Sequence, residues 1–584
     1  MLFGSVARAQ SKINPTVEII TDYQGKINEA DRIGLSFTAD SLTSAKPNFT
    51  YQTLSPTINN KFTMQPIPAA RMNIPTALKD GGLGYFRGSL AYPMAPDLNL
   101  YLNIYSRSNT YFNLFFNHRS FWGNVPLYKE APLTTAPIPS EIKADNANTR
   151  IGLALQHFWD KVAIDLNAVY DNRYLIYYGQ DTLLLRETAG TDYINNISDN
   201  KYIREHLSQT FHILKAGISL YSVNRDNNRT SFKIDGNINY IKESAHLTGN
   251  DPTAQSLLGA KAWFNHKIYG EHAIDVDLGV KTYNRSGGAP SVSLLHLAPC
   301  YQYNDKGLSF MAGINLEGVN DNDDFAVNVY PKIAISYKVE DWFIPYASAT
   351  GGTRLNNYEK IITENPYILP GLEVANSRYL VDLQAGIRGS INPYLSYQLN
   401  VGYSTIDNMY FFVNSTTPLL NDGIVPHYLR SNFQAMRNNI NLLTLGGAVS
   451  CKLGSFEALF KMQYYHYMWS EDNPLVHNKA WHRPNFEFGM NLRYKVMKNL
   501  IFNVDGYFRG ETPVMRISDL PTPLEVNATT TPAYFDLGLM VEYRITQQIS
   551  AFAQVTNLLN NNYQQYYLYY TLGTTIGAGI SVAF

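Results

Sequence analysis

The chain has only two cysteines, Cys300 and Cys451, in 584 residues. A disulfide framework needs more, and these two fall on different predicted strands, so two free buried thiols are expected. Net charge is nearly absent, at a formal −1. The basic surface that a nucleic-acid binder needs is therefore missing. No run of about 18 apolar residues exists, which excludes a membrane-spanning helix. Mean hydropathy is −0.22. Barrel strands hide their apolar residues by alternation, so that value leaves transmembrane strands open. No Gly-x-Ser-x-Gly elbow and no His-Glu-x-x-His helix occurs. Asp80-Gly81-Gly82-Leu83-Gly84 lacks the Lys-Ser/Thr of a phosphate loop and reads as the start of a strand.

What is abundant is tyrosine, with 43 in the chain and 13% aromatic residues in all. Tyrosine is apolar on its body and polar at its tip, which suits the girdles of a membrane barrel. From about Leu83 onward, segments of strand length alternate in character. In 535–545 one face is Phe535, Leu537, Leu539, Val541, Tyr543 and Ile545; the other is Asp536, Gly538, Met540, Glu542 and Arg544. In 486–496, Glu487, Asn491, Arg493 and Lys495 oppose Phe486, Phe488, Met490 and Leu492. Segments 162–170, 232–240, 274–282 and 456–464 repeat the pattern, with Lys233, Asp235, Asp275, Asp277, Lys281, Glu457 and Lys461 on the second face. A period of two is the signature of strands.

A soluble sandwich would alternate in the same way; the connections separate the two. Short polar turns near 107–109, 159–161, 225–228, 304–307, 339–341, 391–393, 452–455, 497–499 and 546–548 alternate with long pieces at 119–146, 178–207, 351–376, 414–437, 468–484, 510–531 and 557–575. Outer-membrane barrels have short periplasmic turns and long extracellular loops. Trp159, Tyr303, Tyr337, Trp342, Tyr494 and Tyr543 lie beside the short turns, where an aromatic girdle belongs. The chain ends Ile576-Gly577-Ala578-Gly579-Ile580-Ser581-Val582-Ala583-Phe584, an alternating strand running to the last residue. Such a strand needs a partner on both edges, which a closed barrel supplies. The expected fold is an all-β transmembrane antiparallel barrel of about 22 strands over residues 81–584, in the bacterial outer membrane. Its last strand is expected to pair near 83–92.

Ala7-Arg8-Ala9 has the small-x-small form of a signal cleavage site, so residues 1–9 are expected to be a signal-peptide remnant and Gln10 the mature start. Residues 10–80 carry Pro15, Pro47, Pro56, Pro66, Pro68 and Pro75 and no sustained alternation. They are expected to be irregular and to line the lumen, cap it or bind a partner. Asp40-Ser41-Leu42 and Asp181-Thr182-Leu183 have the form of a Bacteroidota O-glycosylation site.

The stretch 549–563, ISAFAQVTNLLNNNY, followed by a loop and a terminal strand ending in Phe584, resembles the C-terminal signature of TonB-dependent outer-membrane receptors. Glu364-Asn365-Pro366-Tyr367-Ile368-Leu369-Pro370-Gly371-Leu372-Glu373 also resembles a loop of that family before a central strand. The resemblance covers most of 81–584 and implies a 22-strand barrel that binds or passes a solute. It departs from the family in 10–80, where no TonB box or plug motif is found, so it carries no energised uptake with it. Style and mature start resemble plug-poor Bacteroidota members. Three function classes follow: a receptor or transporter; a structural subunit of a larger complex that assembles outer-membrane or surface proteins; and, last, a membrane enzyme. The expected partners are outer-membrane lipid and other outer-membrane proteins or surface lipoproteins. No catalytic, cofactor or metal site is assigned, and no ligand. His466, His477 and His482, near Trp469, Glu471 and Asp472, match no compact metal site and are expected to be solvated loop residues.

Overall fold

A computed structural model of the chain describes residues 83–584 apart from 108, 127–140, 180–203, 205–206, 224–228, 245–252, 287–290, 322–323, 415–431, 471–477 and 518–525. The expectations for 1–80, for Asp181-Thr182-Leu183 and for the turn at 225–228 lie outside these residues. Twenty-two strands form one antiparallel sheet that closes on itself. The first strand, Gly84–Tyr92, pairs with the second, Ala95–Arg107, and with the last, Thr575–Ala583. Phe584 and Gly84 exchange backbone hydrogen bonds of 2.8 and 3.0 Å. Closure removes the edges that lipid cannot satisfy. The ladder is shortest between Asp324–Tyr337 and Ile344–Arg354, where five residue pairs join the two strands.

Alternation sets which side chains meet lipid. In Tyr534–Arg544, Tyr534, Asp536, Gly538, Met540 and Glu542 are buried, while Phe535, Leu537, Leu539 and Val541 are not. In the last strand Ile576, Ile580 and Phe584 are exposed, and Gly577, Ser581 and Ala583 turn inward and are buried. The inner wall is polar and cross-linked. Lys332 bonds Asp277 at 2.6 Å, three strands away, and Arg87 lies 4.2 Å over the Phe552 ring. Trp159, Tyr337, Trp342, Tyr494 and Tyr543 are each about half exposed on the outer surface, as a girdle requires. Both cysteines are free, but only Cys300 is buried; Cys451 is partly exposed, which corrects the expectation of two buried thiols.

The connections keep two ends. At one end turns at 159–161, 306–307, 393–394, 454–455 and 498–499 are two or three residues long. At the other lie 122–145, 177–207, 355–376, 415–432, 470–485, 510–533 and 557–574. Length alone does not mark the end, however. The turns at 93–94 and around 322–323 sit at the long-loop end. Several long connections fold further. They form hairpins at Asn124–Pro126 with Glu141–Lys143 and at Thr512–Ile517 with Val526–Thr531, and one forms a helix, Tyr358–Glu364.

Candidate functional site: a cap across the barrel mouth

The helix Tyr358–Glu364 has local causes. Asn357 is its N-cap, accepting from the Lys360 N–H at 3.3 Å, and Glu359 is acidic in the first turn. Tyr358, Ile361 and Ile362 fall at i, i+3 and i+4 and form the buried face. Pro366 follows Asn365, and a residue before proline leaves the helical region, so the helix stops there. The sequence pattern over 351–376 predicts an irregular connection, because a helix of seven residues, about two turns, is too short for its period to stand out.

Where this segment goes is non-local. On one side Glu359 forms an ion pair with Lys215 and accepts from Asn239, both on the inner wall. The Tyr358 N–H donates to Gln255 Oε1 at 2.8 Å, and its hydroxyl donates to Glu243. Arg173 Nη1 donates to Thr363 Oγ1 at 2.9 Å, and Arg285 pairs with Glu373 at 2.8 Å. These partners lie on five consecutive strands, from Val162–Ile176 to His272–Arg285.

On the other side Glu364 pairs with Arg483 at 2.6 Å and accepts from the Tyr410 hydroxyl. Phe433 N–H donates to the Tyr367 carbonyl at 3.0 Å, and Leu369 N–H to the Phe433 carbonyl at 2.9 Å. Tyr367 stacks on Tyr569 with centroids 3.6 Å apart. Lys215 stands on the sixth barrel strand and Tyr410 on the fifteenth, nine strands apart in a ring of 22. The segment therefore spans the mouth from wall to wall.

An apolar core seals it. Tyr177, Phe211, Ile213, Ile361, Ile362, Ile368, Phe433 and Tyr569 belong to one buried cluster drawn from the wall and the long loops. Each isoleucine buried in the cap contributes on the order of 1.5–3 kcal/mol. Below it the inner face is polar and open: Asn237 stays exposed there.

The histidines do not converge. His466 stands on the strand Phe456–Trp469, exposed on the outer face, which corrects the expectation of a loop residue; His477, Glu471 and Asp472 lie outside the described residues. His482 is buried, which corrects the expectation of a solvated loop residue; its Nδ1 bonds the Phe412 carbonyl at 2.7 Å. Among the described residues no group of acidic, cysteine and histidine side chains is placed to hold a metal ion.

One group makes the cap pH-sensitive. Burial pushes the Lys360 amine down to about 8; Glu364 opposes this, and Arg354 and Arg483 add to it. When the cap is released the amine returns to its ordinary value, so the docked cap holds fewer protons than the released one. Docking must then strengthen as pH rises from about 8 to 10.5. Conductance of the reconstituted barrel should fall across that window, and Lys360→Met should abolish the step.

No protein-family profile matches this chain, and no curated protein does. Solved structures do. The chain is similar to the FrpB iron transporter from Neisseria meningitidis, with a TM-score of 0.62, 10% identity, and 86% of this chain and 82% of that one covered. The siderophore receptor PirA from Acinetobacter baumannii gives 0.61, 10%, 86% and 80%. A mutant of the ferric enterobactin receptor PfeA from Pseudomonas aeruginosa gives 0.60, 12%, 86% and 80%. At such identity the likeness is one of fold. With lipid-facing alternation, an aromatic girdle and 22 closed strands shared with such receptors, the chain is a β-barrel of the bacterial outer membrane.

Proposed function

We propose that the chain is an outer-membrane receptor or transport barrel whose lumen is closed on the cell-surface side by residues 355–376. The observation that carries this reading is the cap itself. It is anchored on opposite walls by side chains from many strands, and it stands over a polar lumen. A barrel with no passage to control has no need of a helix held between two charge clusters. The neighbours named as iron transporter and siderophore receptor agree with solute handling, without naming a ligand for this chain. In this reading residues 10–80 line or cap the lumen, or meet a partner, in place of a TonB-engaging plug, as in the plug-poor Bacteroidota type.

The test is single-channel recording in planar bilayers. Replacing 356–375 with a short Gly-Ser turn should convert a mostly closed barrel into one with large, stable conductance steps. No change in conductance would overturn the cap as the closing element. In cells, loss of the TonB system should leave the protein's role intact; a TonB contact mapped within 10–80 would refute that part.

The alternative, a structural subunit of a larger outer-membrane complex, is favoured by one observation: among the described residues, part of the strand Asp324–Tyr337 has only one neighbouring strand.

A further inference from the structure

The wall has a seam. Asp324–Tyr337 pairs along its whole length with Leu308–Asp321 on one side. On the other side it meets Ile344–Arg354 over only five residue pairs, Lys332↔Thr350 to Ser336↔Tyr346. The next pair would be Pro331 with Gly351. Proline has no N–H to donate to a ladder. Gly351 and Gly352 let the neighbouring strand leave the wall there: a Cβ on Gly351 would lie 2.9 Å from the Tyr330 side chain, and Gly352 has φ +155° with Glu317 at its back. The departing backbone is held inside the barrel. The Thr353 N–H donates to Glu317 Oε2 at 2.7 Å, and Asn315 Nδ2 donates to the Gly351 carbonyl at 3.2 Å. Proline and the glycine pair thus open the seam from the extracellular rim down to Lys332.

Above that point, among the described residues, 324–331 have no strand on their second edge. The outward side chains there are the apolar Phe325, Val327 and Val329, exposed by 63%, 67% and 62% against 42% for Ile333, where the wall is whole. Phe325 and Val327 also edge an apolar outer groove of about 540 Å³ over Leu278, Leu295 and Leu316. A tilted strand crosses the hydrocarbon in roughly 9–11 residues. Counted from the girdle residue Tyr337, Val327 and Val329 fall in its outer half. On the luminal side the gap is polar, with Asn328 Oδ1 accepting from Arg378 at 3.4 Å.

We propose that this seam is a docking site for an extended segment of another polypeptide, entering from the cell-surface side and adding a strand beside 324–330. Acyl chains can cover Phe325, Val327 and Val329, but they cannot satisfy backbone N–H and C=O groups at strand spacing; a peptide strand does both. The proposed segment runs antiparallel to 324–330, as the neighbouring barrel strands do, with apolar residues facing lipid and polar residues facing Asn328. In one membrane the same edge of a second copy runs in the same direction and would give only a parallel ladder, the weaker pairing.

The experiment places a photo-crosslinking residue at Phe325, Val327, Val329 or, as a control in the intact wall, Ile274, in cells. Exchange of the seam-facing amides within 325–329, those not bonded to Leu308–Asp321, is measured in native membranes and after detergent extraction. The expected result is a protease-sensitive adduct at 325, 327 and 329 but not at 274. The attached peptides should come from one foreign segment and step two residues for each two residues here. Amide protection should be present in membranes and lost on extraction. Val327→Pro and Asn328→Pro give a second handle, since one of them removes an N–H pointing into the seam and should lower the adduct yield at 325 at least tenfold. Adducts with lipid alone, adducts with another copy of this chain or with its own residues 10–80, or full exchange of these amides in native membranes would overturn the proposal.

Discussion

Glu364→Ala is expected to open the barrel. The Glu364 carboxylate takes Arg483 at 2.6 Å and the Tyr410 hydroxyl, and the Arg483 side chain is only 19% exposed. Truncating the acid leaves a buried guanidinium without its counter-charge. Breaking such a pair costs about 3–5 kcal/mol, because the remaining charge stays desolvated while the attraction is gone. The released cap lets Arg483 rehydrate, so the cost falls on the closed state. The ratio of closed to open barrels should drop on the order of a hundredfold or more, read as open probability in planar bilayers. Replacing both partners, Glu364→Met with Arg483→Met, removes the charge and its penalty together. It should restore most of the closure, since exchanging a buried ion pair for apolar side chains is often neutral. A double variant as leaky as the single one would show that the pair positions the cap through geometry that an apolar contact cannot replace.

Leu539→Lys is expected to cost about 2–4 kcal/mol of barrel stability, the penalty of a cation on the lipid face near the bilayer midplane. Leu539 sits at the middle of Tyr534–Arg544, paired with Val504 and Val555, and its side is the one whose neighbours are left unburied. The control is Gln554→Lys on the inner face of the next strand, which should cost well under that amount because the lumen hydrates charge. Both are measured by reversible unfolding in lipid vesicles. Equal costs for the two would place Leu539 in the lumen and shift the register of that strand by one residue.

Much of this molecule could be read from the chain alone, for a local reason. A strand exposes alternate residues to opposite sides, and lipid outside with water inside forces those sides to differ. Phe535 to Ile545, Phe486 to Val496 and the terminal Ile576 to Phe584 therefore declare their facing, and the closed barrel of 22 strands follows from their number and their need for partners on both edges. The pairing of the last strand with 85–92 follows from closure as well. The girdle residues Trp159 and Trp342 were marked by their place beside short turns.

The cap and the seam were not legible in that way. The cap helix left a faint local trace in Asn357, Ile361, Ile362 and Pro366, but nothing near it in sequence says that Glu359 will meet Lys215 and Glu364 will meet Arg483. Those contacts join residues more than a hundred positions apart and exist only once the wall has curved round to face itself. The seam likewise needs Pro331 and Gly351-Gly352 to come opposite each other, a matter of register between two strands. The sequence by itself determined the solvent each strand face would meet, because that is a property of neighbouring residues. Only the tertiary structure decided what closes the mouth and where the wall is left open, because both depend on which distant residues the closed ring brings together.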